Sequence, residues 1–318
     1  MITSRSSLTI MTGRSPGNDM SLDPSQLIIT DEILAEYRER GYWRSPKLLS
    51  DDEIESLRQA VDSVCRGERA DDTFYCYSQP HFDLTKPNVR QLCNAWWVNH
   101  TLRDFLRTPI IGSIAAQFMG THTVRLWHDQ AIVKPGVGSG GSGVRDGNVG
   151  WHQDYAHWQC ANTTNFCTAW IALQDTDLSN GGMRTIVGSH RWGLSENAYT
   201  FGEKDLDGLK ARFAREDRPW IDEPCVLKAG EVSFHHALTF HGSGPNLTMA
   251  PRLCYIMHMM PHNCGLKRSG LHHPNAGFLG PLAKEGQLFE GDCFPTIWQN
   301  KSLATQKNTR PDVLFANT

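Results

Sequence analysis

Trp151-His152-Gln153-Asp154, with His241 and Arg252 far downstream, is where the residue types of this chain could do chemistry. In an extended chain, positions two apart share a face, so His152 and Asp154 point the same way. With His241 added, the set is two imidazoles and one carboxylate. On an octahedral ferrous ion those donors leave about three adjacent positions open, enough for a co-substrate and dioxygen together. The same donors suit zinc, so a zinc-dependent hydrolase or isomerase stays open at this point. A catalytically silent binding protein also stays open. Arg252 lies far enough beyond His241 for one strand to end, turn and return a guanidinium to the same pocket.

The elements that must position these residues change character along the chain. Residues 30–120 read as mostly helical. Ser50 and Glu53 form a capping box ahead of Ile54, Leu57, Val61 and Val64, which recur at helical spacing. Residues 102–119 repeat that pattern, with Pro109 interrupting. From Thr123 the period turns to that of strands. Residues 124–133, 166–173, 183–187, 231–235 and 253–259 read as short strands, separated by turns such as Asn180-Gly181-Gly182 and Gly242-Ser243-Gly244-Pro245. Many short strands with such turns indicate a sandwich or barrel. The glycine-rich stretch 135–150 matches no phosphate-binding loop and reads as an active-site loop that orders when ligands bind, with a plain surface linker as the alternative.

Bulk properties exclude more than they identify. A chain of 318 residues is long enough for one large core. Its net charge of −3 gives no argument for nucleic acid or an anionic membrane. No apolar run is long enough to span a bilayer. Nine cysteines are scattered without a Cys-x-x-Cys pair, which favours a reducing, cytoplasmic setting over a disulfide framework. The expected organisation is an N-terminal tail over 1–25 and one domain over 26–300. That domain divides into a helical part (30–120), a strand-rich core (121–261) and a wrapping tail (262–300), with a flexible C-terminus over 301–318.

Taken together, the motif residues resemble the phytanoyl-CoA dioxygenase family of iron(II)- and 2-oxoglutarate-dependent oxygenases. The resemblance runs from about Tyr42 to Trp298. It rests on Trp151–Asp154, Trp170, Asn180-Gly181-Gly182, Val187-Gly188-Ser189-His190, Phe240–Asn246 and Arg252, in order and at matching gaps. It implies a mainly β fold with flanking helices, a double-stranded β-helix (jelly-roll, cupin-like) core. It implies iron ligation by His152, Asp154 and His241. Arg252 and Ser243 would hold the distal carboxylate of 2-oxoglutarate, with Lys134, Trp170 and Gln153 at the same pocket. Strand alternation adds Gln130 and Ile132 to the face of Lys134, and Cys254 and Ile256 to that of Arg252. Trp127, Tyr155, His157 and Trp158 are candidates for the substrate wall, with aromatic core packing as the alternative. His235 and His236 read as supporting rather than ligating, and His272-His273 as tail.

The implied activity is hydroxylation of an unactivated C–H bond of a small-molecule metabolite. Fe(II), 2-oxoglutarate and O2 are consumed or used, ascorbate serves as in vitro reductant, and succinate and CO2 are released. An aspartate at 154, where a glycine or alanine would open a halide site, favours hydroxylation. Desaturation, epoxidation and rearrangement stay open. No basic cluster near the motifs awaits the phosphates of an acyl-CoA, so a neutral or zwitterionic metabolite is the expected substrate. Monomer and homodimer are both compatible with the sequence.

Overall fold

The computed structural model describes residues 29–69, 89–137, 147–270 and 273–300. The two expected terminal tails, residues 138–146 of the glycine-rich stretch and His272 lie outside the described residues.

The helical part begins with α1 (Asp31–Arg40), capped by Thr30 and ended by Gly41 at φ 81°. After the short β1 (Tyr42–Arg44), α2 (Asp51–Cys65) starts at the expected capping box: Ser50 accepts from the Glu53 amide and Glu53 returns to the Ser50 amide. After β2 (Arg90–Cys93), the stretch interrupted by Pro109 resolves into α3 (His100–Phe105) and α4 (Pro109–Met119). Proline stands at the first turn of α4, where its missing N–H removes no helical bond.

Strands follow: β3 (Thr123–Lys134), β4 (Val149–His152), β5 (Cys167–Ala172) and β6 (Met183–Ile186). After α5 (Leu206–Phe213) come β7 (Asp222–Pro224), β8 (Val232–His236), β9 (His241–Ser243), β10 (Arg252–Pro261) and β11 (Thr296–Gln299). All pairings among them are antiparallel. The larger sheet runs β1-β8-β5-β10-β3-β11, with β2 beside β11 on the same edge of β3. The smaller sheet runs β4-β9-β6-β7. The chain is a jelly-roll of two facing sheets, with helices backing the larger one.

Alternation along the two central strands divides the molecule. Leu253, Tyr255 and Met257 of β10, with Ala131 and Val133 of β3, pack into the core against the helices, among Leu57, Val61, Leu102, Ile111 and Ile114. Each aliphatic side chain buried there contributes about 1.5–3 kcal/mol relative to exposure. The alternate residues Arg252, Cys254, Ile256 and His258, with Lys134, Ile132, Gln130 and His128, line a cavity between the sheets. The ladder slips once: His258 pairs with His128 but Met259 pairs with Leu126, leaving Trp127 as an extra residue. That bulge reverses the phase of β3. Leu126 and Val124 therefore join the helix-side core, and Trp127 turns into a second aromatic cluster with Phe166, Phe289 and Phe294. The residues after Pro261 close this cluster, and β11 pairs with the start of β3. No helix among the described residues is long and apolar enough to cross a membrane.

Candidate metal centre and co-substrate pocket

His152 and His241 are register partners across β4 and β9. Each ring is oriented by its own backbone: His152 Nδ1 donates to Gly150 O (2.7 Å) and His241 Nδ1 to Thr239 O (3.0 Å). With Nδ1 carrying the proton, both rings present a bare Nε2. Those Nε2 atoms lie 3.7 and 3.6 Å from Asp154 Oδ1. One ligand atom from each of the three residues fits within a 4.8 Å span. The expected alternation holds through Gln153, whose backbone is extended (φ −111°, ψ 129°). Asp154 itself, however, opens a 3-10 turn (Asp154–His157) rather than continuing the strand.

The other carboxylate oxygen is already engaged. Asp154 Oδ2 accepts from Thr168 Oγ1 (2.9 Å) and from His235 Nε2 (3.3 Å). Oδ1 is thus left for a metal. Burial pushes the Asp154 carboxyl up, but the surrounding imidazoles, His241 and His258 foremost, hold it well below the usual range. Burial presses those same two attracting rings, His241 and His258, toward the neutral form. Among the described residues no lysine or arginine pairs with this buried carboxylate, and a divalent metal fits that deficit. His236 ligates nothing: its Nδ1 accepts from the Leu238 amide (3.1 Å), and burial pushes it down to about 3.

At the other end of the cavity, Arg252 and Lys134 are partners across β10 and β3. Lys134 Nζ donates to Ser243 Oγ (2.5 Å) and Gly244 O (2.6 Å). Arg252 donates to Gly181 O (3.3 Å), sits 2.9 Å from Cys254 Sγ and lies 5.2 Å from the Trp170 ring centroid; its Nε is buried and meets no partner among the described residues. Both cations are buried, and among the described residues neither meets a carboxylate. Burial and the neighbouring guanidinium press Lys134 well below the usual lysine range. A carboxylate entering here would relieve both groups, and the donor set fits one end of a dicarboxylate. Gly181 is shaped for this place: its φ is +73°, and an added Cβ would come within 2.6 Å of Lys134 Cδ.

The cavity of about 350 Å³ joins the two ends. Gln130, Trp170 and Ser243 line it as expected, and so do His157 and Trp158. Three expected residues do not. Gln153 points away: its Nε2 donates to Gly193 O and Leu238 O, and its Oε1 accepts from the Ser195 amide, tying two loops to the His152 strand. Trp127 is turned aside by the bulge, and Tyr155 donates to Ala161 O (2.7 Å) within the aromatic cluster. Thr168, His128 and His258, missed as site residues, do line the cavity. The signal for them was available: Thr168 shares the face of Trp170, and His258 that of Arg252, Cys254 and Ile256.

A profile of the phytanoyl-CoA dioxygenase (PhyH) family matches residues 37–254. The chain belongs to this family. It is an oxidoreductase of the non-haem iron type, with Fe(II) as metal, 2-oxoglutarate as co-substrate and O2 as oxidant. It is 27% identical over 216 residues to a probable alpha-ketoglutarate-dependent hypophosphite dioxygenase of Stutzerimonas stutzeri, covering 66% of this chain and 71% of the relative. It is 24% identical over 240 residues to the peroxisomal phytanoyl-CoA dioxygenase of Rattus norvegicus, covering 72% of this chain and 67% of that one. Among solved structures, the epimerase SnoN in complex with Fe3+, alpha ketoglutarate and nogalamycin RO superposes with a TM-score of 0.65 at 24% identity, over 84% of this chain and 98% of SnoN. That likeness speaks for the fold.

Proposed function

We propose that this member of the family hydroxylates an unactivated C–H bond of a neutral or zwitterionic small-molecule metabolite. The observation that carries the reading is the cavity's polarity: a His–Asp–His cluster at one end and, at the other, a buried lysine and arginine that meet no carboxylate among the described residues. Metal and co-substrate together supply the oxidising power: O2 and 2-oxoglutarate are consumed, succinate and CO2 leave, and one oxygen atom enters the substrate C–H bond. The chain's own residues then bind and orient. His152 and His241 would hold the metal through Nε2, and Asp154 through Oδ1, because Thr168 and His235 keep Oδ2 occupied. Arg252, Ser243 and Lys134 hold the distal carboxylate of 2-oxoglutarate, with Trp170 beneath the guanidinium.

Among the described lining residues, Lys134 and Arg252 are the only lysine and arginine, and both are assigned to the co-substrate. That supports a metabolite without phosphate groups over an acyl-CoA. The free cysteines Cys65, Cys160, Cys167, Cys225, Cys254, Cys264 and Cys293 among the described residues suit a reducing, cytoplasmic setting. The test is succinate formation from 2-oxoglutarate by protein reconstituted with Fe(II) and ascorbate, with a metabolite library screened for products heavier by one oxygen. His152→Ala, Asp154→Ala and His241→Ala are each expected to abolish succinate release. Hydrolysis by the zinc-loaded protein without any succinate from the iron-loaded one would overturn the reading.

A further inference from the structure

We propose that Gln91 and Gln130 select the substrate: their paired side-chain carboxamides take a neutral molecule with an amide-type edge, N–H beside C=O, as in a carboxamide or lactam. The proposal rests on the function proposed above and names the substrate class of that same site.

The two sheets are tied together along one side, where their end strands β1 and β7 meet. Glu223 of β7 accepts from Arg40 and from Tyr42 of β1, and Arg44 donates to Pro224 O (2.9 Å). The opposite side lies between β4, the other end of the smaller sheet, and the β2–β3 edge of the larger one. Both border the cavity, β4 through Val149 and His152, the β2–β3 edge through Gln91 and Gln130. Residues 199–201 extend the β4 wall: Thr200 Oγ1 donates to Trp151 O, and Phe201 O accepts from the Gly150 amide (3.1 Å). Tyr199 and Phe201 thereby join the lining. One wall of this side is aromatic, and the other carries the two amides.

Alternation along β2 sends Gln91 and Cys93 to the cavity, while Leu92 between them enters the helix-side core. Gln91 pairs with Ile132, and Gln130 with Cys93, so the two glutamines are diagonal neighbours on one face. Such positions stand about 7–8 Å apart, within reach of long side chains. Both glutamines are only half-buried, and neither amide meets a hydrogen-bond partner among the described residues. Carboxamides elsewhere are engaged: Gln153, Asn246 and Asn275 each donate to backbone carbonyls. Gln130 also shares a rung with Ile256 and Trp170, which sets the pair beside the co-substrate pocket.

A carboxamide offers donors and an acceptor in one plane, carries no charge, and does so whichever way it is flipped. The pair therefore supplies no counter-charge to an ionised group. An amide edge answers it reciprocally: the ligand N–H donates to Oε1 while its C=O accepts from Nε2. A ketone or a carboxylate only accepts, and leaves the glutamine oxygens without a donor. Ile132 and Ile256, opposite Gln91 and Gln130, give apolar surface to the carbon frame that bears the edge.

The test uses the full chain labelled with carbon-13 and nitrogen-15, loaded with Zn(II) as a diamagnetic stand-in and with 2-oxoglutarate. The side-chain amide signals of Gln91 and Gln130 are assigned by through-bond correlation to their backbones. The probes are three six-membered rings: 2-piperidone, cyclohexanone and cyclohexanecarboxylate. 2-Piperidone is expected to shift both amides saturably. Cyclohexanone, which lacks the N–H, should bind about tenfold more weakly, and the carboxylate should leave both signals in place. Gln91→Met and Gln130→Met should each weaken 2-piperidone about tenfold, with 2-oxoglutarate affinity by calorimetry unchanged. Equal affinity for 2-piperidone and cyclohexanone, a response to the carboxylate, or no shift up to the solubility limit of 2-piperidone would overturn the proposal. So would loss of 2-oxoglutarate affinity in Gln130→Met, which would hand that residue to the co-substrate. Should a methionine variant fail to fold, the three probes on the wild-type chain decide alone. Failure of 2-oxoglutarate to bind the zinc-loaded wild type is measured separately and would overturn the function proposed above, whatever the two amides do.

Discussion

Replacing Arg252 with alanine isolates the co-substrate end of the cavity from the metal end. Arg252 is 3% exposed, spends one hydrogen bond on Gly181 O and keeps Nε without a partner among the described residues. Removing one member of a buried charged pair costs about 3–5 kcal/mol, because the other charge is left buried and uncompensated. At about 1.4 kcal/mol per decade this weakens 2-oxoglutarate by roughly a few hundredfold to a few thousandfold. Lys134, its partner across the strands and already bonded to Ser243 Oγ, retains one cation in the pocket. The lower part of that range is therefore expected. Arg252→Lys should recover only part, since an ammonium cannot reproduce the planar fork. The assay is an anaerobic titration of the Fe(II)-loaded protein with 2-oxoglutarate, followed by its charge-transfer absorption, with iron content measured separately. Iron binding should be intact in both variants. An unchanged 2-oxoglutarate affinity in Arg252→Ala would refute the reasoning and move the carboxylate anchor elsewhere.

Three further outcomes follow from neighbouring geometry. Burial holds the empty-pocket Lys134 below its usual range, so carboxylate binding should draw in a proton; 2-oxoglutarate affinity is expected to rise as pH falls, and calorimetry on Lys134→Met should show that dependence gone. Gly181→Ala places a Cβ against the Lys134 stem at a φ of +73° and should raise the 2-oxoglutarate requirement roughly tenfold by steady-state kinetics, with iron binding spared. Asp129 sits on the helix side of β3, where burial lifts its carboxyl from 3.8 to about 7 despite hydrogen bonds from Tyr255 and the Trp96 amide. A raised carboxyl contributes stability that is present at low pH and lost as pH rises through about 7. Wild type should therefore lose roughly 2–3 kcal/mol relative to Asp129→Asn between about pH 5 and about pH 8 in urea unfolding.

How legible each element was depended on its length. β3 and β10 have enough residues for alternation to declare itself, and the expected inward set Lys134–Ile132–Gln130 and Arg252–Cys254–Ile256 lines the cavity. The strands β1, β2, β4, β7, β9 and β11 escaped because three or four residues do not show a period. They exist through pairing: β9 is held between β4 and β6, and β11 closes on β3. Helix starts were legible where chemistry is local, as at Ser50 and Glu53, because a cap is written within four residues.

The site divides along the same physical line. Residues that act through their own type stand out in sequence: two histidines, an aspartate and a buried arginine are costly to keep inside a sheet without a ligand. Residues that act through another residue do not. Thr168 is an ordinary strand threonine until the fold brings Asp154 Oδ2 and His258 Nδ1 to its single hydroxyl. Gln153 matched a motif yet serves as a buckle, because its own extended backbone turns its amide away from the face of His152, toward Gly193, Ser195 and Leu238. Trp127 failed for a third reason. Alternation read back from Lys134 puts Trp127 on the helix side, and a substrate role needed it on the other; the bulge at His258 moved it inward but into the Phe166–Phe289–Phe294 cluster. A bulge depends on how two distant strands register, so nothing local to Trp127 could reveal it. The slip has a consequence for the site: it ends the regular ladder immediately after His128 and His258, so the last inward-facing pair before it is the imidazole pair beside the metal cluster. A regular ladder over the same residues would pair Trp127 with Met259 and turn Leu126 toward the cavity, which is why the bulge belongs to the functional architecture as much as the ligands do.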